Sequence, residues 1–150
     1  MAWISITTAD VQRSLAGGEL LALQAEGLGD GQIDPLPGII SDVVAEVRGY
    51  ISANALNRLG DGETIPDRLR ATALVRIRFE AFTRLPLGRE LLTEDRVKAN
   101  DNAIQRLRDV AAGRFQIEDP TVIDEESRRA PLPMIGTRTR NFDRDSQDGL

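Results

Sequence analysis

The 150-residue sequence contains neither histidine nor cysteine. That removes the commonest general base, the commonest metal ligand, the thiolate nucleophile and the disulfide together. The acidic side chains do not fill the gap. Two carboxylate runs, Asp124–Glu126 and Asp143–Asp148, lie in a stretch without hydrophobic period. A metal site needs carboxylates held on a scaffold, so both runs read as solvated charge. Residues 27–32 read Gly-Leu-Gly-Asp-Gly-Gln. No strand pattern precedes this run and no Lys-Ser/Thr follows, so it is not a phosphate-binding loop. It also lacks the later acidic positions and closing Glu of a calcium-binding loop. A plain turn accounts for it. No catalytic, cofactor-binding or metal-ligating residue is assigned, and the chain is read as a non-enzyme.

Arginine is the remaining candidate, outnumbering lysine 18 to 1. Five arginines, Arg68, Arg70, Arg76, Arg78 and Arg84, fall in the stretch Pro66–Leu85. At helical spacing they surround the axis and form no basic face, which argues against a major-groove reading helix. Arg78 lies inside an apolar arc, and a buried guanidinium needs a partner. The expected structural ion pair is Arg78 with Glu46. Asp42 or a neighbouring subunit is the alternative partner.

The elements that would position these residues are helical. Pro66–Leu85 runs without Gly or an internal Pro, and its first residue suits a first helical turn. Leu74, Ala81, Leu85, Ala71, Phe82, Val75 and Phe79 make a broad apolar arc. Leu69, Ala73 and Ile77 make a second stripe. A helix apolar on two sides packs between neighbours. The neighbours are predicted as Ile39–Leu56, with Ile39, Ile40, Val43, Val44, Val47 and Ile51 at three- and four-residue spacing, and residues 94–112. For the latter, Thr93 is the expected cap, Val97, Ile104, Leu107 and Val110/Ala111 the apolar face, and Gly113 the terminating glycine. Two short helices precede them. One is capped by Thr7 with Asp10 and carries Val11 and Leu15. The other spans Glu19–Glu26, after a break at Gly17-Gly18. Trp3, the only tryptophan, is expected to pack on the bundle. Asn57–Thr64, with Gly-Asp-Gly at its centre, is a turn-rich connection.

The fold class is therefore all-α: a small bundle of about five helices, three of them long, with an extended C-terminal tail. Residues 1–113 form the bundle domain and residues 114–150 the tail. Phe115–Ile117 could add a short strand. The tail has scattered apolar residues and mixed charge, so it would gain order only on a partner. Met134, Ile135, Phe142, Arg144 and Leu150 are the candidate partner-binding residues. The formal net charge of −5 speaks against a nucleic-acid binder, which usually has a basic domain. No apolar run approaches the length of a membrane span and no signal sequence is present. A soluble protein made inside a cell is expected.

The order of features resembles a known family. An early Thr-x-x-Asp helix start is followed by a short Glu-Leu-Leu helix. A long helix then ends in a Gly-Tyr-Ile element (Gly49, Tyr50 and Ile51). A Pro-initiated helix (Ile65, Pro66, Leu69) follows, and the last helix ends Leu-Arg-Asp-Val-Ala-Ala-Gly at Leu107–Gly113. Over roughly residues 5–117 this is similar to the small neck proteins encoded in the head-morphogenesis region of Mu-like tailed phages and prophages. Asn141–Asp145 (Asn-Phe-Asp-Arg-Asp) resembles endings in that family. Ala71-Thr72-Ala73 stands where many relatives carry an acidic residue.

The resemblance implies a head–tail connector of the adaptor class, a virion protein made in the host cytoplasm and built into the neck. It implies a ring, typically of twelve copies, beneath the portal protein, with a downstream neck or tail protein as the next partner. It also implies no enzymatic activity, no cofactor and no membrane, and a lumen through which DNA passes without sequence-specific binding. Two rival readings come from other classes: a small helical DNA-binding or DNA-packaging accessory protein, and an enzyme subunit or chaperone whose partner holds the active groups. A stopper or tail-completion protein of the same neck is a third.

Overall fold

A computed structural model describes residues 2–19, 21–22, 33–84 and 88–121. Among the described residues, five helices have both ends in view: α1 (Thr8–Ser14), α2 (Leu36–Ala53), α3 (Arg70–Arg84), α4 (Gly88–Leu91) and α5 (Glu94–Ala111). The predicted all-α bundle is what forms. Among the described residues no helix is long and apolar enough to cross a membrane.

The capping box predicted for α1 is present. The Thr7 hydroxyl accepts from the Asp10 N–H, and the Asp10 carboxylate accepts from the Thr7 N–H. The chain then turns at Leu15, whose backbone is extended. The expected break at Gly17-Gly18 does not occur there, because residues 17–19 are already helical. The Glu19 carboxylate explains the earlier start: it accepts from the Ala16 N–H at 3.0 Å, satisfying a donor otherwise orphaned at a helix entrance.

α2 begins three residues before the predicted Ile39 and stops at Ala53. Its predicted stripe is the heart of the core, with Ile39, Ile40, Val43, Val44, Val47 and Ile51 all buried. α3 packs against both α2 and α5, as its two apolar sides require.

Two features of α3 differ from the sequence reading. First, the helix starts at Arg70. Pro66 lies in a short strand, β2 (Ile65–Pro66), and a 3-10 turn at Asp67–Leu69 follows. β2 pairs antiparallel with β1 (Trp3–Ile4), Trp3 opposite Pro66 and Ile4 opposite Ile65. Proline tolerates this place at the end of a two-residue ladder. Second, the deep face is the narrower stripe. Leu69, Ala73 and Ile77 have no exposure, joined by Ala81 and Phe82, whereas Leu74, Val75 and Phe79 are only half-buried. The neighbouring helices cover the narrow side, so the broad arc is largely left at the rim.

α5 buries Asn100, Ala103, Leu107 and Val110. Val97, predicted on that face, is 38% exposed, and Ile104 is half-buried. Thr93 sits at the N-cap with an extended backbone, but its side chain makes no capping bond. Gly113 adopts φ 75°, the left-handed conformation that ends a helix most cheaply with glycine.

Residues 114–121 do not part from the bundle at 113 as expected. They form no strand. Phe115 and Ile117 pack against the core cluster, and Pro120 is buried. The body therefore extends to about Thr121.

Candidate functional site

The strongest polar constellation lies between the three long helices. Arg76, 8% exposed, projects from α3. Its Nη1 donates to Asn100 Oδ1 of α5 at 2.8 Å. Nε and Nη2 donate to Glu46 Oε2 of α2 at 3.2 and 2.9 Å. Nη2 also reaches Glu80 Oε1, one turn along α3, at 3.0 Å. One guanidinium thus ties three helices together. Two carboxylates flank it, both about 30% exposed at the side chain. The rim carboxylates stay partly hydrated, while Asn100, 4% exposed, depends on the arginine.

This corrects the expected ion pair. Glu46 is a partner, but of Arg76 rather than Arg78. Arg78 lies on the half-buried arc and donates from Nη2 to the Ser14 carbonyl, while its Nε is buried without an acceptor. Asp42 pairs with Arg84 at 3.1 Å on the surface. The mistake has a physical origin. Arg76 flanks the stripe Leu69–Ala73–Ile77, which lies deepest, and Arg78 flanks the arc that is wider in sequence but shallower in the fold. Arg76 and Asn100 each stand three residues from a buried alanine, Ala73 and Ala103, and that helical spacing could have marked them.

Arg96 of α5 closes the other side of α3. It pairs with Glu19, which is 5% exposed, and its guanidinium stands 5.3 Å from the centre of the Phe82 ring. A cation over an aromatic face adds attraction where water is excluded.

The second constellation joins the two ends of the body. The Trp3 indole N–H donates to the Glu118 carbonyl at 2.9 Å, although the residues are 115 apart in sequence. Arg68 Nε lies 3.0 Å from Glu118 Oε1, and its Nη1 reaches the Gln116 carbonyl at 3.4 Å. The benzo ring of Trp3 rests on Gly60: a Cβ there would fall 2.6 Å from Trp3 Cε3. Arg48 of α2 holds the same turn by donating to the carbonyls of Gly60 and Thr64, at 3.1 and 2.8 Å. Trp3 packs on the body as expected, but with the C-terminal segment as a hydrogen-bonding partner. Nothing in the local sequence signals so distant a pairing.

Two half-buried aspartates have carboxyls held below the usual carboxylate value. For Asp10 the main cause is the Thr7 hydroxyl, then the Thr7 N–H, with Arg70 at 2.7 Å adding to it. For Asp109 it is the hydrogen bond from Arg114, with Gln105 assisting. Both are fastenings of helix ends.

Met134, Ile135, Phe142, Arg144 and Leu150, the tail residues expected to bind a partner, lie outside the described residues, as does the Gly27–Gln32 run. Among the described residues no group of histidine, cysteine or carboxylate side chains is placed to hold a metal ion.

Comparisons with protein-family models, curated proteins and solved structures give no match. The likeness to phage neck proteins thus rests on the order and spacing of features within the chain.

Proposed function

We propose that this protein is a structural virion component, a head–tail connector of the adaptor class that assembles as a ring beneath the portal. The observation that carries the reading is the path of the C-terminal segment. It crosses the N-terminal strand, is gripped at Glu118 by Trp3 and Arg68, and reaches Thr121 with residues 122–150 still to follow. A helical body whose chain continues for 29 residues past Thr121 suits a protein that joins successive layers of an assembly. A ring requires heterologous contacts that close by rotation.

The use of arginine favours this reading over a DNA-binding accessory protein. Arg70, Arg76 and Arg84 are each matched by carboxylates within the body. Little of the basic charge on α3 remains for phosphates. Such a surface suits a lumen past which DNA slides.

The test is the hydrodynamic size of the protein alone and after mixing with the portal protein of the same genome. A ring-sized complex with portal is expected. Removing residues 122–150 is expected to abolish portal binding with helicity unchanged, because the contacts of residues 114–121 remain. Portal binding that survives the truncation refutes the role assigned to the tail. Retention on DNA with a steep salt dependence, and no portal complex, would refute the connector reading and favour the packaging accessory.

A further inference from the structure

Beside Trp3 the surface opens into a recess of about 250 Å³, lined by Ala2, Trp3, Asp61, Thr64 and Thr121. Its chemistry is unusual for this chain. Trp3 is the only tryptophan. Part of its benzo ring is closed by Gly60, and its N–H is taken by the Glu118 carbonyl. Indole surface therefore remains to line the recess, with no free indole donor. Asp61, in the Gly-Asp-Gly turn, contributes a carboxylate with neither a hydrogen bond nor an ion pair among the described residues. Arg48, which reaches this turn from α2, donates to the carbonyls of Gly60 and Thr64. The Thr64 hydroxyl donates to the Asp61 carbonyl at 2.6 Å, fixing the turn that presents the carboxylate.

An aromatic surface beside an unmatched carboxylate selects a cation. A planar cation can stack on indole while its N–H groups meet a carboxylate, which a hydrated ammonium does less well. The geometry points to this recess as a socket for the guanidinium of an arginine side chain. The inference is independent of the connector reading.

Two sources of that guanidinium are open. One is the chain itself, where Arg128 and Arg129 follow Thr121 by seven and eight residues. The other is a partner protein.

Because Trp3 is unique, its fluorescence reports on this recess alone. The full chain is titrated with the capped tripeptide Gly-Arg-Gly, with the matched Gly-citrulline-Gly, which is neutral and nearly isosteric, and with glucose. A saturable change is expected for the arginine peptide, with at least about fivefold weaker binding of the citrulline peptide. Asp61→Asn, at an exposed turn, is expected to erase that preference, and added salt to reduce it. If Arg128→Gln with Arg129→Gln tightens peptide binding, the chain's own arginines occupy the socket. If affinity is unchanged, the guanidinium belongs to a partner. Equal binding of both peptides, an unchanged preference in Asp61→Asn, saturable binding of glucose alone, or no saturable change in either the parent chain or the double arginine variant overturns the inference.

Discussion

Arg76 offers the sharpest test of how the bundle is held. Replacing it by methionine keeps much of the length and removes the charge. Three partners then lose their donor: Glu46, Glu80 and Asn100. The carboxylates are about 30% exposed at the side chain, so water recovers much of their loss and a full buried-pair penalty does not apply. Asn100 is 4% exposed and its carbonyl oxygen stays unsatisfied, which costs about 1–3 kcal/mol. With the residual carboxylate repulsion, Arg76→Met is expected to destabilise by about 2–4 kcal/mol in total. For a domain of this size that is a fall in midpoint of roughly 4–16 °C. The assay is urea and thermal unfolding followed by far-UV circular dichroism. Arg84→Ala, which loses only the exposed pair with Asp42, serves as the surface control at about 0–1 kcal/mol. A cost for Arg76→Met below the control, or no recovery of stability when Asn100→Leu is added to Arg76→Met, would refute the view that Asn100 dominates the loss.

Three other outcomes follow from named contacts. Gly60→Ala places a Cβ 2.6 Å from the Trp3 ring, so a loss of about 1–3 kcal/mol is expected together with a red-shifted tryptophan emission; unshifted emission would mean the ring does not rest there. Gly113→Ala must accommodate φ 75° and a Cβ 3.2 Å from Asn54 Nδ2, and about 1 kcal/mol of destabilisation is expected in urea unfolding. The lowered Asp10 and Asp109 carboxyls stabilise the fold above the usual carboxylate value, and that contribution is lost as pH falls through their folded values. Thr7→Ala removes the main cause at Asp10, so its carboxyl is expected to titrate higher by NMR and acid unfolding to depend less on that group; an unmoved Asp10 titration would contradict the assignment.

Legibility in the sequence followed the range of the interaction. The capping box of Thr7 and Asp10, the stripe from Ile39 to Ile51 and the stop at Gly113 are local, and all three are found in the fold. Strands of two residues carry no period, so β1 and β2 left no trace. The exchange of Arg78 for Arg76 marks a different limit. Helical spacing shows which residues share a face, but the neighbours decide which face is deep. Here the more apolar arc is the shallower one, because α2 and α5 meet on the other side. The body's second constellation, Trp3 with Glu118, joins positions that no local pattern relates.

The same clasp sets how the molecule can bear load. Ala2 and Thr121 line one recess, so the two ends of the folded body lie side by side. Tension drawn through the tail would enter at this seam and meet the Trp3–Glu118 bond and the Arg68–Glu118 pair before reaching α5. The helices behind would be shielded until the seam opened. Adjacent ends also make the body a candidate for circular permutation: a short linker from residue 121 back to residue 2, with new ends cut elsewhere, would preserve every contact among the three long helices.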